Sequence, residues 1–255
     1  LLAAIDWSVH EEQRESYSYC WMRDAGFAVD ALRMAGCPEI TERLFRFAKR
    51  ALESNTFRGN VQPFVMQKYC SDGTVGSGWM RRFSSTEELQ RLPIQQDETA
   101  TLAWAVLRYH ASKPWPTSVE RHELITALAY PALDWMCEFR LPCGLPRPSV
   151  DLWEEREGVH LHTVCTVYGA LCYGALVASN ESLGAADSER ATKYSSAAAE
   201  IRAAVSKYFT AVPNRGWLPR KRSVHAETLE ILPLSESDCV LDAAVGAGVV
   251  HFGSP

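Results

Sequence analysis

The segment from Ser149 to Arg156 reads Ser-Val-Asp-Leu-Trp-Glu-Glu-Arg and places an indole ring beside two adjacent carboxylates. It follows a proline-rich stretch, residues 141–148, that separates two helical patterns, as in a loop that presents side chains. Adjacent glutamates are most often solvated surface charges. A tryptophan face, however, suits a sugar ring, and an apolar wall raises the pKa of a carboxyl group toward the value that a general acid needs. Both interpretations stay open on composition alone.

A second aromatic segment runs from Tyr17 to Asp24 as Tyr-Ser-Tyr-Cys-Trp-Met-Arg-Asp. Its alternation is compatible with a half-buried strand that leads to a surface ion pair between Arg23 and Asp24. The same atoms also fit a monosaccharide. Tyr17 and Trp21 would wall the ring, while Arg23 and Asp24 would make charge-assisted hydrogen bonds to its hydroxyl groups.

Two other polar groups have ordinary structural explanations. Asp97 precedes a helical pattern and is placed to cap it. His160 and His162 flank one leucine, and two histidines at this spacing without a third ligand are more often polar contacts than a metal site. The sequence therefore predicts no metal and no cofactor.

Taken together, the two aromatic segments resemble glycoside hydrolase family 15, the glucoamylase family, in its prokaryotic form. The residues that carry the resemblance are the block Tyr17–Asp24 and the block Pro148–Arg156, the latter followed by Gly158, His160 and Thr163. The resemblance implies an exo-acting, inverting α-glucosidase that releases glucose from α-glucans or small α-glucosides. An inverting enzyme needs one carboxylic acid and one carboxylate base, on opposite faces of the sugar.

The resemblance also implies a role for each matching residue. Glu154 would be the general acid, and Glu155 would hydrogen-bond the sugar beyond the cleaved bond. The predicted substrate-binding residues are Tyr17, Trp21, Arg23 and Asp24 for the terminal glucose, Leu152 and Trp153 as the lining of the same pocket, and Gln96 and Asp97 as contacts one shell behind that lining. The linkage preference, α-1,4, α-1,6 or that of trehalose, is left open.

Composition limits the other classes of function. The 255 residues carry a net charge of −5, with 47% hydrophobic and 22% charged residues, which are ordinary values for a globular protein. A nucleic-acid partner would normally require a basic face. The apolar run 164–178 is shorter than the roughly 20 residues of a membrane span. The eight cysteines contain no Cys-x-x-Cys pair, which favours free thiols and a cytoplasmic location.

Helical periodicity predicts an all-α fold over residues 1–255, in a single domain that the resemblance implies is incomplete. Helical patterns cover 25–35, 39–54, 98–111, 119–139, 161–179, 187–209 and, more weakly, 238–250. Strongly apolar segments alternate with amphipathic ones, as an inner and an outer ring of helices require. Residues 55–95 lack periodicity and are interpreted as a substrate-facing rim. The resemblance implies the (α/α)6 toroid, of which about seven of twelve helices would be present.

In the resembling family the catalytic base comes from the second half of the toroid. We therefore expect the 255-residue chain alone to be an inactive hydrolase. The alternative is a non-catalytic carbohydrate-sensing toroid like the regulatory subunits of phosphorylase kinase. The intact Trp153-Glu154-Glu155 and Arg23-Asp24 sequences favour the enzyme.

Overall fold

A computed structural model of the chain describes residues 19–54, 56–57, 60–76, 94–112 and 119–253, and most of these residues are helical. The helices are α1 (Met22–Met34), α2 (Pro38–Ser54), α3 (Gln96–Ala111), α4 (Val119–Leu124), α5 (Tyr130–Glu138), α6 (Leu161–Ser179), α7 (Ser188–Tyr208) and α8 (Ala243–Phe252). A π-helical turn, Ile125–Ala129, joins α4 to α5 without a break in the helical backbone. The described residues thus contain seven helical rods, as the sequence predicted.

The helices form two layers. Helices α1, α3, α6 and α8 pack against one another in chain order, and α2, α5 and α7 pack outside them. Fourteen of the sixteen residues of α3 are buried, whereas α7 buries one stripe that includes Tyr194, Ile201 and Ala204. This difference is what an inner and an outer layer require, because an inner helix has neighbours on every side. The described residues therefore build part of an (α/α)6 barrel.

Small residues allow the inner helices to approach closely. A Cβ atom on Gly169 of α6 would lie 2.7 Å from the Cβ of Phe252 in α8, and one on Gly26 of α1 would lie 2.9 Å from Thr101 in α3. Larger side chains at these positions would push the inner helices apart. The glycines thus help to set the spacing of the helix ends that carry the site.

Helix α6 is long and apolar enough to cross a membrane by length and composition, with a mean hydropathy of 1.5. The sequence predicts no membrane span, because the apolar run 164–178 is shorter than about 20 residues. In the fold, 72% of that stretch is buried inside the protein. Its contacts with α3, α7 and α8 account for its apolar character as that of a core helix.

Short strands connect the loops at one end of the helices. Strand β1 (Cys20–Trp21) pairs antiparallel with β4 (Lys68–Tyr69), and β2 (Thr56–Phe57) pairs with β3 (Asn60–Val61). A three-stranded sheet joins β5 (Ser149–Val150), β6 (Glu157–His160) and β7 (Lys221–Arg222) in that order.

The structure corrects the start of the first helix. Helix α1 begins at Met22, so Arg23 and Asp24 lie in its first turn and only Cys20–Trp21 is extended. Residues 77–93 of the predicted rim lie outside the described residues. The eight cysteines, all within the described part, are free thiols.

Candidate active site

Charged and polar residues gather where the four inner helices begin. Arg23 lies in the first turn of α1, Glu98 in that of α3 and His162 in that of α6, while Asp242 is the N-cap of α8. Helix N-termini carry unpaired N–H groups and a partial positive charge, which favour carboxylates and polar ligands. The N-terminal end of the inner helices is therefore polar, whereas the rest of the inner layer is an apolar core.

The loop that carries Glu154 is closed by Asp151. The Oδ1 atom of this buried residue accepts the main-chain N–H groups of Glu155 at 2.8 Å and Arg156 at 3.1 Å. The main-chain N–H of Glu154 donates to the carbonyl of Asp151 at 3.0 Å. Glu154 itself adopts φ 61°, in the left-handed region that residues other than glycine rarely occupy. The closed turn holds this conformation and turns the carboxylate toward solvent.

Buried polar side chains bind the main-chain carbonyls at both ends of this loop. The Nε2 of His160 donates to the carbonyls of Ser149 and Arg156, each at 3.1 Å, and burial lowers the pKa of its ring. The Nε2 of Gln95 donates to the Asp151 carbonyl at 2.6 Å. The loop is thus fixed to the start of α3 as well as to β6.

The carboxylate of Glu154 contacts the first aromatic segment. The indole Nε1 of Trp21 donates to Oε1 of Glu154 at 3.3 Å. On the other side of Trp21, the Nζ of Lys68 lies 5.2 Å from the indole centroid and 4.9 Å from the ring centroid of Tyr19. Both distances are within the range of a cation–π contact. The two sequence motifs are therefore in direct contact.

Trp153 lies differently from the prediction. The sequence placed its indole against the neighbouring carboxylates, but its Nε1 donates to Oδ2 of Asp242 at 3.0 Å, and the residue is 51% exposed. The indole that contacts Glu154 is that of Trp21. The prediction failed here because adjacent side chains in a tight turn point in different directions. The face of Trp153 remains open to the solvent.

Asp242 connects this tryptophan to two other elements. Its Oδ1 accepts the main-chain N–H of Ala244 at 2.8 Å, which caps α8, and Arg220 lies 3.3 Å from its Oδ2. Burial would raise the pKa of Asp242, but the hydrogen bonds from Ala244, Trp153 and Arg220 lower it below its usual value. Asp242 is therefore an ionised anchor for the indole of Trp153.

Arg23 lies among carboxylates. Its Nη1 is 2.8 Å from Oδ2 of Asp97 and 3.1 Å from Oε1 of Glu98, and its Nη2 is 4.0 Å from Asp24. The side chain of Arg23 is 10% exposed and that of Asp24 is 58% exposed. Burial would lower the pKa of Arg23, but the charges of Glu98 and Asp97 raise it above its ordinary value. Asp24 is the member of the group most available to a ligand.

An open cleft of about 490 Å³ lies between α1 and α8. Its wall includes Arg23, Asp24, Phe27, Leu152, Trp153, His162 and His251. The Nδ1 of His162 donates to the carbonyl of Ala244 at 2.9 Å, so its Nε2 faces Asp97 at 3.9 Å. A cleft with an aromatic face and hydrogen-bonding groups is suited to a polar ring.

The other predicted residues are placed as follows. Gln96 and Asp97 are fully buried, so neither reaches the cleft; Gln96 donates to the carbonyl of Arg147 at 2.6 Å, and Asp97 pairs with Arg23. Asp97 is not a helix cap, because α3 begins at Gln96. Glu155 is exposed and forms an ion pair with Arg156. Tyr17 lies outside the described residues.

Sequence reasoning missed three residues of the site: Glu98, Asp242 and Lys68. Asp242 had a visible signal, since an aspartate before an apolar helical run is a common N-cap. Glu98 showed only as a charged residue at the start of a buried helix. Nothing local to Lys68 indicates its position, because strand pairing across a long loop brings it opposite Trp21.

A carboxyl group, aromatic side chains and an arginine–aspartate pair at one end of the inner helices of a partial (α/α)6 barrel are consistent with a glycoside hydrolase. The chain belongs to the glycosyl hydrolases family 15, whose model matches residues 3–251. No curated protein matches the chain.

Solved structures share the fold. A glycosidase, solved as a single-residue variant, has 21% identity and a TM-score of 0.61, over 92% of this chain and 56% of its own. A bacterial glucoamylase complexed with acarbose has 17% identity and a TM-score of 0.61, over 92% of this chain and 30% of its own. The family 15 glucoamylase from Hypocrea jecorina has 19% identity and a TM-score of 0.59, over 84% and 33%. The chain thus spans about half or less of the length of these structures.

Proposed function

We propose that this protein is an exo-acting, inverting α-glucosidase of the glucoamylase type. The observation that carries the proposal is the contact between Trp21 and Glu154, at 3.3 Å. It joins the segment proposed to bind the terminal glucose to the segment proposed to supply the acid. Family membership supports a glycoside hydrolase, and the open face of Trp153 supports a sugar ligand.

In the proposed reaction, Glu154 gives its proton to the glycosidic oxygen as the bond from that oxygen to the anomeric carbon breaks. A water molecule attacks the same carbon from the opposite face, and a carboxylate base takes its proton. Trp21 would orient the acid through its Nε1, and Asp24 would accept hydrogen bonds from the hydroxyl groups of the terminal glucose. Glu155 would bind the sugar beyond the cleaved bond.

The carboxylates that contact the acid-bearing loop within the described residues are already engaged. Asp151 accepts two main-chain N–H groups, Asp238 pairs with Arg156 and Arg220, and Asp242 binds Trp153 and Ala244. An acceptor of this kind is a poor base for water, because its lone pairs are occupied and its charge is stabilised. We therefore propose that residues 1–255 alone bind glucosides but release little glucose.

Exo action would follow from the charged cluster at the end of the cleft. Arg23, Asp97 and Glu98 form a buried charged cluster next to the exposed Asp24, and we propose that this cluster closes the cleft to a longer glucan chain. A terminal glucose would fit against this wall, and an internal glucose unit would not.

Calorimetric titration of the chain with acarbose, maltose and lactose tests this proposal. We expect acarbose and maltose to bind and lactose not to bind, because its terminal sugar is a galactose with the 4-hydroxyl inverted. In parallel, glucose release from maltose, maltodextrin, isomaltose and trehalose is assayed. Equal affinity for lactose and maltose, or no binding of either acarbose or maltose, would contradict the proposal.

A further inference from the structure

Glu98 is a fully buried carboxyl group that the proposed reaction does not use. It lies in the first turn of α3 with no exposed surface. Its Oε2 accepts the main-chain N–H of Arg23 at 2.5 Å, and its Oε1 lies 3.1 Å from Nη1 of the same residue. A buried carboxyl group is unfavourable unless it is paired, so these contacts define its environment.

The main-chain contact is the more informative one. Arg23 lies in the first turn of α1, where N–H groups have no partner within the helix. The N-cap residue, Trp21, gives no side-chain cap to α1. Glu98 supplies that acceptor from a different helix. It thereby ties the backbone between Trp21 and Asp24 to the start of α3.

We propose that Glu98 is a positioning residue that holds Trp21, Arg23 and Asp24 in the geometry that binds the terminal sugar. The proposal rests on the function proposed above. Glu98 touches no part of the cleft surface, so its effect on the ligand would pass through the first turn of α1. The side chain of Arg23, which contacts Asp97 at 2.8 Å, is held in the same arrangement.

Several charged or titratable groups face Glu98. They are Arg23 and Asp24 from α1, Asp97 on its own helix, Cys20 of β1 and Tyr69 of β4, with His162 of α6 on the far side of Asp97. Burial raises the pKa of Glu98 to about 8, against the opposing charge of Arg23.

The test follows the Arg23 amide by nuclear magnetic resonance in the wild-type chain and in the variants Glu98→Ala, Glu98→Gln and Glu123→Gln. Glu123 is exposed on α4, so its variant is a matched control for the loss of one carboxyl group. We expect Glu98→Ala to speed exchange of the Arg23 amide hydrogen about tenfold or more, since a lost hydrogen bond to a charged or buried group has an effect of that order. Glu98→Gln, which keeps an acceptor oxygen, should retain most of the protection.

A second readout separates positioning from simple structural support. The Arg23 amide proton should shift with pH around a midpoint near 8 in the wild type and in Glu123→Gln, and not in Glu98→Gln. Acarbose affinity at pH 6 should fall about tenfold in Glu98→Ala and stay close to wild type in Glu98→Gln.

Unchanged exchange in Glu98→Ala, or an amide shift that still titrates in Glu98→Gln, would overturn the proposal. If Glu98→Ala does not fold, the titration in Glu98→Gln decides. If the amide behaves as expected but the wild type binds no acarbose, the proposed function fails while the contact between Glu98 and Arg23 stands.

Discussion

The indole Nε1 of Trp21 lies 3.3 Å from Oε1 of Glu154, although 133 positions separate the two residues in the chain. Trp21 ends a short strand that pairs with Lys68–Tyr69, and Glu154 occupies a left-handed position in a turn closed by Asp151. Each of the two residues is thus held by its own local structure. The contact joins the two motifs into one site.

Trp21→Phe should impair the acid without removing the aromatic wall. The variant loses the Nε1 donor to Glu154. We expect the rate of azide transfer from maltose, the assay described below, to fall about tenfold, as for a lost hydrogen bond to a charged group. Trp217→Phe is the matched control, because the Nε1 of Trp217 donates to the Cys239 carbonyl away from the cleft. Equal effects of the two variants on turnover at equal stability would contradict this role for Trp21.

Asp242→Ala should combine a lost helix cap with a released Trp153. A lost N-cap lowers the free energy of unfolding by about 1 kcal/mol. The control is Asp187→Ala, because Asp187 caps α7 through the main-chain N–H of Arg190 and lies away from the cleft. Both variants should be less stable in chemical denaturation, but only Asp242→Ala should weaken acarbose binding in calorimetry. Unchanged acarbose affinity in Asp242→Ala would show that Trp153 does not depend on this anchor.

Asp24→Asn should weaken binding of every glucoside by a similar factor, because all of them share the terminal glucose. Asp24 is 58% exposed, and among the described residues its one ion pair is a 4.0 Å contact with Arg23, so the variant should leave the fold intact. Affinities for maltose, isomaltose and trehalose would be compared by calorimetry. A loss confined to the longer maltodextrins would move Asp24 away from the terminal sugar.

The pKa of Glu98 gives a pH dependence of stability. The folded chain holds a proton up to about pH 8 that the unfolded chain releases above about 4.5. The folded state therefore binds more protons between these values, and this contribution to the free energy of unfolding is lost as the pH rises through that window. The free energy of unfolding should fall by at most about 1.4 kcal/mol per pH unit for one proton.

Urea denaturation of the wild type and Glu98→Gln at several pH values between 4 and 9 measures this term. The variant should gain stability relative to the wild type as the pH rises toward 8, and the difference should then level off. Glu123→Gln should show a difference that does not vary in this way. A constant difference for Glu98→Gln would mean that Glu98 is ionised in the folded protein.

The fold was largely predictable from the sequence, because helical periodicity reports burial directly. The apolar circumference of α6 and the single stripe of α7 predicted an inner and an outer helix, and both lie there. The start of α1 was placed three residues late. Its first turn is stabilised by Glu98 from another helix, which leaves no local capping signal near Trp21.

The site was predictable only where its residues are contiguous. The segment Leu152–Glu155 was located from its composition, but its orientation was not, since Trp153 turns to Asp242 and leaves Glu154 to Trp21. Gln96 and Asp97 are fully buried, so any contact with a ligand would pass through other residues. Burial at the start of an inner helix cannot be distinguished from exposure at the cleft by sequence spacing.

The most direct test of the account is whether Glu154 acts as the acid, and an added nucleophile allows this test on residues 1–255 without relying on a catalytic base. High concentrations of azide replace the activated water: azide forms the new bond to the anomeric carbon while the bond to the leaving group breaks. Maltose requires a proton on its leaving oxygen, whereas α-glucosyl fluoride depends much less on one. The product, β-glucosyl azide, is measured by chromatography.

The account predicts β-glucosyl azide from both donors with the wild-type chain. In Glu154→Gln the rate with maltose should fall about 10² to 10⁴-fold, the usual contribution of general acid catalysis, while the rate with α-glucosyl fluoride should change little. Glu155→Gln, which would lose a contact to the leaving sugar of maltose, should raise the maltose concentration needed for half-maximal rate but change the maximal rate far less than Glu154→Gln does. The absence of azide product from the wild type, an equal loss for both donors in Glu154→Gln, or a larger fall of the maximal rate with maltose in Glu155→Gln than in Glu154→Gln would contradict the assignment.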